Sequence, residues 1–364
     1  MVSQRYAAGG GRHWLRRPLR SGQFLPWLPV LGLILLTGLL TQAAAAQEEA
    51  GVTPAPPLQM LQSYYPLPGS VSLCGEAVPL QDPMVREDLD REFTIILWSR
   101  TQTTLWLKRA ARYFPYLEKR LQEAKLPDDL KYVVLVESDL RLDARSSAGA
   151  VGPWQFMKPA ANRFFLKTDH KFDDRFDFYR ATEAALQYLK TLYREFQNWP
   201  LALAAYNCGE GRLRKAIKDQ GVANYYHLDL PDETDRYVLR IIAAKIILSD
   251  PGRYGYQIPP GELYQPLKPD QVEFVLAKDL PLQQLARACG TSYKVIRRLN
   301  LRLQTATLPP GMYKLSVPAG TASRFYEAYL RGELGGSPMA PPAPGDPAAV
   351  PKPPAAGKPA PQKR

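Results

Sequence analysis

The spacing of apolar residues between positions 82 and 255 constrains the fold of this 364-residue chain more than any other feature of its sequence. Apolar side chains recur there every three or four positions, which is the period of a helix that buries one face. One such stripe is formed by Ala185, Leu189, Leu192 and Phe196. The pattern predicts an all-helical domain over residues 82–255, which is long enough to enclose a sizeable core.

Proline and glycine predict where several of these helices end. Pro115 predicts a break near the end of the second helix, because a proline inside a helix has no amide donor and clashes with the preceding turn. Gly209 and Gly221 follow helical runs, as C-terminal capping glycines do, and Pro251 with Gly252 follows the last one.

The character of the sequence changes after residue 255. The segments QVEFVL and YKLSVP are typical of strands, and LPLQQLARACG and SYKVIRRLN between them are typical of short helices. This order predicts a small β-α-α-β accessory module within residues 256–335. Ten prolines fall in residues 336–364, and this composition predicts a disordered or polyproline-like tail.

Residues 1–46 have the organisation of an export signal. An arginine-rich start precedes an apolar stretch at 24–40, and Ala43–Ala46 provide small residues for cleavage. The alternative is an uncleaved anchor helix that associates the chain with the membrane, because the stretch approaches the length that spans a bilayer. Residues 47–81 are predicted to form an extended lead-in. An exported chain is expected in the periplasm or elsewhere in the cell envelope.

The net charge of +12 is concentrated at the two ends of the chain. The first 23 residues contribute +5 and the tail 336–364 contributes +3, which leaves +4 for the rest. This charge is too small to indicate a nucleic-acid partner, and it is compatible with an anionic polymer of the cell envelope.

The cysteines and histidines do not indicate a disulfide framework, a metal or another cofactor. Neither set shows the close spacing of metal ligands, and an odd number of cysteines leaves one unpaired in a monomer. The cysteines are therefore interpreted as small apolar core residues. The residues concerned are Cys74, Cys208, Cys289, His13, His170 and His227.

Glu137 is the first candidate for chemistry. It follows the apolar run YVVLV, and burial there would disfavour its charged form and raise its pKa. A carboxyl that stays protonated near neutral pH is suited to act as a general acid toward a glycosidic oxygen. On the local pattern alone, the alternative is that Glu137 is the first exposed residue after a buried helix, or a cap partner of Ser138.

Four sequence motifs in a fixed order favour the catalytic interpretation of Glu137 over the structural one. They are ES at 137–138, LDARSSAGAVGPWQFMKP, LALAAYNCGEGRL and DETDRYV. Together they resemble the lytic transglycosylases of the lysozyme-like superfamily, most closely the membrane-bound D type. The resemblance covers about residues 85–255 and continues more weakly to 318. It implies a mainly α protein with a lysozyme-like catalytic domain.

The resemblance also implies roles for individual residues. Glu137 matches the sole catalytic acid and base, and Ser138 matches the residue that supports the wall of the active site. Tyr237 matches a tyrosine that hydrogen-bonds the catalytic carboxyl and orients it. The positions that match residues facing the glycan are Ser146 with Gly149, Gln155, Tyr206 and Asn207.

Several of these residues have simpler interpretations. Tyr206 fits a core tyrosine, Trp154 and Phe156 fit packing, and Gly149 and Gly152 fit plain loop glycines. Asp139 and Asp143 are assigned to solvent or to helix caps, because a residue two positions after Glu137 does not face it on a helix. Four departures from the family pattern leave the reaction intact and alter only the expected shape of the subsites. They are Pro153, Lys158, Cys208 and Glu210.

The activity that the resemblance implies is cleavage of the MurNAc-GlcNAc β-1,4 bond of peptidoglycan glycan strands with formation of 1,6-anhydromuramyl ends. The alternatives are a lysozyme-type muramidase that hydrolyses the same bond, and a non-catalytic peptidoglycan-binding protein. Residues 271–318 resemble a degenerate lysin motif, a glycan-binding module, and the alternative for them is a subdomain that braces the catalytic core.

Overall fold

The computed structural model describes residues 62–335. The predicted signal peptide at 1–46, residues 47–61 of the lead-in and the proline-rich tail at 336–364 lie outside the described residues. Between residues 62 and 335, none of the helices is long and apolar enough to cross a membrane.

The N-terminal two thirds of the described chain is helical, and this confirms the mainly α class. Eight α-helices follow one another there, with a 3₁₀ turn at Asp128–Tyr132 directly before the third. They are α1 Pro83–Trp98, α2 Arg100–Ala124, α3 Val133–Ser138, α4 Lys158–Arg163, α5 Phe178–Phe196, α6 Trp199–Cys208, α7 Glu210–Gln220 and α8 Asp232–Ser249.

Helix ends follow the expected chemistry at most positions. Asp82 and Asn198 accept hydrogen bonds from the first-turn amides of α1 and α6. Gly209 and Gly221 cap the ends of α6 and α7, as predicted, and α8 ends directly before Pro251.

The predicted break at Pro115 is wrong. Helix α2 continues through this residue to Ala124. Pro115 lies on the exposed side of the helix, where solvent can hydrate the backbone carbonyl that a proline leaves without its helical donor. A surface position therefore tolerates a residue that would be costly inside the core.

The main hydrophobic core lies between α1, α5, α6 and α8. Helix α8 packs against α1, α3 and α6, and its middle is apolar on nearly all sides, as a central helix requires. The described part of the lead-in belongs to this core. Its two-residue strands β1 Ser72–Leu73 and β2 Glu76–Ala77 pair as a hairpin. The apolar residues in and beside this hairpin are buried: Tyr65, Leu67, Leu73, Val78 and Leu80.

The accessory module has the predicted β-α-α-β order around a second hydrophobic cluster. Strands β3 Asp270–Leu276 and β6 Gly311–Val317 pair antiparallel, with Val272 opposite Leu315. Three further elements were not predicted: the short strand pair β4 Leu280–Pro281 and β5 Thr307–Leu308, and a C-terminal helix. The helices are α9 Leu282–Ala288, α10 Tyr293–Leu299 and α11 Ala322–Leu330.

Candidate active site

Glu137 occupies the last turn of the short helix α3. The residues before it, Val133, Val134 and Leu135, are fully buried and fix the helix in the core. The residue is partly exposed, but protein atoms enclose its carboxyl group. Desolvation by burial is the largest influence on this group and raises its pKa from 4.5 to about 8. The carboxyl therefore holds its proton at neutral pH.

Tyr237 on α8 is the hydrogen-bond partner of this carboxyl. Its hydroxyl donates to Oε1 of Glu137 over 2.5 Å, although the two residues lie 100 positions apart in sequence. Tyr237 is 2% exposed, and burial raises the pKa of its phenol well above 10, so the hydroxyl remains a donor. The bond opposes the effect of burial by lowering the pKa of Glu137.

Glu233 is a second acid whose charge acts on Glu137. It lies one helical turn before Tyr237, at the exposed start of α8, and its charge raises the pKa of Glu137 further. Glu233 was not among the residues predicted for the site. Its position four residues before Tyr237 could have indicated that it lies near the site, because residues i and i+4 share a helix face.

The loop 144–156 forms one side of the site. Two hydroxyl groups of the site, from Ser138 and Tyr206, hydrogen-bond consecutive carbonyls of this loop. The hydroxyl of Ser138 lies 2.7 Å from the Pro153 carbonyl, and the hydroxyl of Tyr206 donates to the Trp154 carbonyl over 2.9 Å. The Trp154 side chain is fully buried, and its Nε1 donates to the Thr182 hydroxyl. Because the resemblance implies that Ser146 and Gln155 face the glycan, we call residues 144–156 the substrate loop.

Ser146 and Gln155 lie in tight turns of the substrate loop. The Ser146 hydroxyl accepts a hydrogen bond from the Ala150 amide, and the residue is exposed. Gln155 adopts φ +49° and its Nε2 donates to the Gly152 carbonyl over 2.7 Å. The turns present both side chains at the surface of the loop while local bonds restrict their orientation.

Gly152 is more than a plain loop glycine. It has φ +80°, and a Cβ built at this position would lie 1.8 Å from the backbone carbonyl oxygen of Arg175. No side chain fits there, so the residue allows the substrate loop to pack directly on the segment that contains Arg175. Gly149 also has a positive φ, +89°, but a Cβ there would meet nothing within 4 Å.

Asn207 and Tyr206 occupy the end of α6. The amide oxygen of Asn207 accepts a hydrogen bond from the Thr234 hydroxyl over 2.8 Å, which ties α6 to the start of α8. Burial raises the pKa of the Tyr206 phenol well above its ordinary value, and the charge of Glu137 adds to the effect. Tyr206 therefore lies close enough to Glu137 for the charge of that carboxylate to raise the pKa of its phenol.

Asp139 fixes the end of α3 instead of pointing into the site. It caps the helix with φ +56°, and its carboxylate accepts from Nε1 of Trp106 over 2.5 Å and from Nε2 of Gln102. Asp143 is exposed and lies 3.7 Å from Arg141. The positions of both aspartates agree with their assignment to caps and solvent.

Comparison with known protein families identifies a domain in part of this chain. Residues 115–228 match the Transglycosylase SLT domain family. The match includes Glu137, the substrate loop and Tyr206, and it ends before Tyr237. The chain thus carries a transglycosylase SLT domain, and the resemblance of its motifs to the lytic transglycosylases is confirmed for this part.

The chain is homologous to membrane-bound lytic murein transglycosylase D of Escherichia coli. It is 30% identical over 232 residues to this protein of strain K12, and equally to that of strain O6:H1. The aligned part is 62% of this chain and 50% of each relative, so the chain spans about half the length of these curated relatives.

Two solved structures of lytic transglycosylases contain a similar part. An inactive mutant of Slt from Pseudomonas aeruginosa is 23% identical, with a TM-score of 0.30, over 41% of this chain and 26% of that one. The 70 kDa soluble lytic transglycosylase of Escherichia coli is 16% identical, with a TM-score of 0.32, over 42% of this chain and 27% of that one.

Proposed function

We propose that this chain is a lytic transglycosylase that cleaves the MurNAc-GlcNAc β-1,4 bond of peptidoglycan and leaves 1,6-anhydromuramyl ends. The observation that supports this most is the enclosed carboxyl of Glu137, with a pKa near 8 and an oriented hydrogen bond from Tyr237, inside a transglycosylase SLT domain. A protonated carboxyl at neutral pH is the general acid that a glycosidic leaving group requires.

In the proposed reaction, Glu137 acts twice. Its carboxyl first protonates the glycosidic oxygen, and the C1–O bond breaks with the electron pair leaving on that oxygen. The muramyl N-acetyl oxygen stabilises the positive charge that develops at C1, as in substrate-assisted glycosidases. The Glu137 carboxylate then takes the proton of the sugar's C6 hydroxyl, whose oxygen bonds to C1. The acid is regenerated and no water is consumed.

The remaining site residues are proposed to hold the glycan. Ser146 and Gln155 on the substrate loop would hydrogen-bond the sugars, with the Gln155 carbonyl as the outward group because its amide nitrogen donates to Gly152. Tyr206 and Asn207 would line the opposite side. Ser138 would act indirectly, by holding Pro153 and so the loop beside Glu137.

A lysozyme-type muramidase is the second candidate, and Glu233 is the observation that favours it. Retaining hydrolases commonly use a second carboxylate beside the acid, and the charge of Glu233 reaches Glu137. Its exposed position at the start of α8, however, is better suited to modulating the acid than to attacking C1 from within the site. A non-catalytic glycan-binding role has no use for an enclosed carboxyl with a raised pKa.

The proposed location is the cell envelope, reached by export through residues 1–46, with peptidoglycan strands as the partner. If that segment is not cleaved, it would also hold the chain at the membrane. We further propose that the lysin-motif-like part of the accessory module, residues 271–318, binds glycan.

The direct test is digestion of purified sacculi by the purified protein. We expect soluble muropeptides to be released in proportion to enzyme and time, and no release in a preparation incubated without protein. Sacculi that stay intact over a range of pH from 5 to 8 would contradict the proposal, since about half of the Glu137 carboxyl or more is protonated throughout that range.

Replacing Tyr237 by Phe removes the bond to Glu137 with little change in volume. We expect a loss of only about 0.5–1.5 kcal/mol in the free energy of unfolding. Turnover should fall by about 10²-fold, because the acid loses its orientation. Since the lost bond lowers the pKa of Glu137, the alkaline limb of the pH–rate profile should move to higher pH.

Turnover and thermal midpoint would be measured on the same preparation of Tyr237→Phe, with Tyr264→Phe, in the segment that leads to the accessory module, as the matched control. A turnover that declines only in step with the folded fraction would make Tyr237 a core residue with no part in orienting the acid.

A further inference from the structure

The accessory module is attached to a segment that lies directly behind the substrate loop. We call residues 171–176 the bridging segment. Its backbone bonds the module at two places: the Asp173 amide donates to the Arg302 carbonyl over 2.7 Å, and the Gln304 amide donates to the Lys171 carbonyl over 2.8 Å. Phe172 and Leu303 form an antiparallel bridge between these bonds. The two segments thus pair as a short piece of antiparallel sheet.

A buried ion pair reinforces this junction. The Arg302 guanidinium donates to Oδ1 of Asp174 over 2.7–2.8 Å, and Asp174 is only 2% exposed. The other cation near Asp174 is Arg180, whose guanidinium is 3.8 Å away. Arg302 is therefore the main charged partner of this buried carboxylate, whose other oxygen accepts a hydrogen bond from the Lys167 amide over 3.2 Å.

The other side of the bridging segment holds the substrate loop. Nη1 of Arg175 donates to the Phe156 carbonyl over 3.1 Å and lies 3.3 Å from the Gly149 carbonyl. Asp173 binds the same guanidinium through both of its oxygens, at 2.9 and 2.8 Å. Asp173, Arg175 and Phe156 are buried, Gly149 is exposed, and Gly152 packs on the Arg175 carbonyl.

We propose that the accessory module positions the substrate loop for glycan binding, and that Arg302 is the positioning residue through which it does so. The path runs from Arg302 to Asp174 and through the neighbouring Asp173 to Arg175. The Arg175 guanidinium bonds the loop at the Gly149 and Phe156 carbonyls, on either side of Gln155. This inference rests on the proposed function, because it assigns the loop to the glycan. It makes the module part of the active-site support as well as a candidate glycan binder.

The physical basis is the cost of leaving Asp174 without its partner. Removal of one member of a buried ion pair leaves an uncompensated charge, which is strongly unfavourable. The Lys167 amide and Arg180 remain near Asp174, but they contact its other oxygen and do not replace the guanidinium on Oδ1. We therefore expect Asp174 to move toward water, together with Asp173 and Arg175, which adjoin it in the chain. A shift of the substrate loop by a fraction of an ångström to an ångström is enough to lower catalysis markedly.

The test compares Arg302→Ala, Arg302→Lys and Arg331→Ala in the full chain. Arg331 is a matched control, because it is an exposed arginine of the same module whose ion pair with Glu333 stays within the module. For Arg302→Ala, we expect kcat/KM on soluble glycan strands to fall about 10-fold, mostly through KM. Arg302→Lys keeps one charged contact and should recover a large part of the loss. Arg331→Ala should behave as wild type.

Amide hydrogen exchange provides a readout that does not depend on activity. In both Arg302 variants we expect faster exchange in residues 146–156, with α6 and α8 unchanged, and the effect should be smaller for Lys than for Ala. A general loss of stability would instead lower kcat with the folded fraction, leave KM unchanged and speed exchange throughout.

The outcomes separate the two proposals. A wild-type protein that cleaves no glycan contradicts the proposed function. A wild type that cleaves glycan, with Arg302→Ala equal to Arg331→Ala in KM and in exchange of the substrate loop, overturns the positioning role of Arg302. If Arg302→Ala does not fold, the exchange and KM of Arg302→Lys decide the question.

Discussion

Replacing Glu137 by Gln is expected to abolish glycan cleavage and to leave the fold intact. The amide has nearly the same shape and its oxygen can still accept the hydrogen bond from Tyr237, but it can neither give nor take a proton. Because one group serves as both acid and base in the proposed reaction, we expect turnover to fall by at least about 10³-fold. Binding of the variant to sacculi should be unchanged.

The same variant has a distinctive dependence of stability on pH. The Glu137 carboxyl titrates near 4.5 in ordinary surroundings and near 8 in the folded protein. The folded state thus binds this proton more tightly, so the contribution of the protonated group is fully present below about 4.5 and is lost as the pH rises to about 8. Gln does not titrate. The thermal midpoint of the variant relative to wild type should therefore rise across this window.

Glu262→Gln is a suitable control, because Glu262 is an exposed acid whose ion-pair partner is Lys108 and not a residue of the candidate site. Turnover and thermal midpoints at pH 4.5 and 8 would be measured for all three proteins. A Glu137→Gln variant with substantial turnover, or with the same pH dependence of stability as wild type, would contradict the assignment of the acid.

Replacing Gly152 by Ala should have the second-largest effect, and here stability falls together with activity. The added methyl group would lie 1.8 Å from the Arg175 carbonyl oxygen, so the backbone of the substrate loop or of the bridging segment must move. A positive φ costs a residue with a side chain about 1 kcal/mol, and overpacking against backbone adds about 1–3 kcal/mol. We expect a loss of about 2–4 kcal/mol in the free energy of unfolding.

Gly149→Ala is the matched control in the same loop. It has the same backbone strain, with φ +89°, but the methyl group would meet nothing within 4 Å. It should therefore lose only about 1 kcal/mol. Denaturant unfolding of both variants checks the difference. Equal losses would show that strain alone matters and that the close contact between Gly152 and Arg175 does not.

Most helices could be predicted from sequence because their apolar spacing and their capping residues agree. Helix α6 is an example, with Asn198 at one end and Gly209 at the other. Pro115 was misjudged because a pattern along the chain does not tell which side of a helix faces water. Helix α11 packs on the sheet of the accessory module, and no element was predicted for its segment.

The site was predictable to the extent that its residues belong to ordered motifs. The position of Glu137 after a buried run indicated a raised pKa, and the resemblance indicated Tyr237 as a partner. The proposed roles of Arg175, Asp174 and Arg302 could not be inferred from the sequence. Arg302 lies 128 positions from Asp174, and the bonds of Arg175 to loop carbonyls correspond to no sequence pattern. Local sequence shows such residues only as ordinary surface cations and acids.

The chemical form of the sugar end that the enzyme produces tests the central claim most directly. Muropeptides released from purified sacculi would be analysed by mass spectrometry before and after reduction with borohydride. Transfer to the C6 hydroxyl predicts muramyl ends that are lighter by one water than hydrolysed ends and that borohydride leaves unchanged. Products dominated by ends that contain the extra water and take up two hydrogens on reduction would contradict the account and identify a hydrolase.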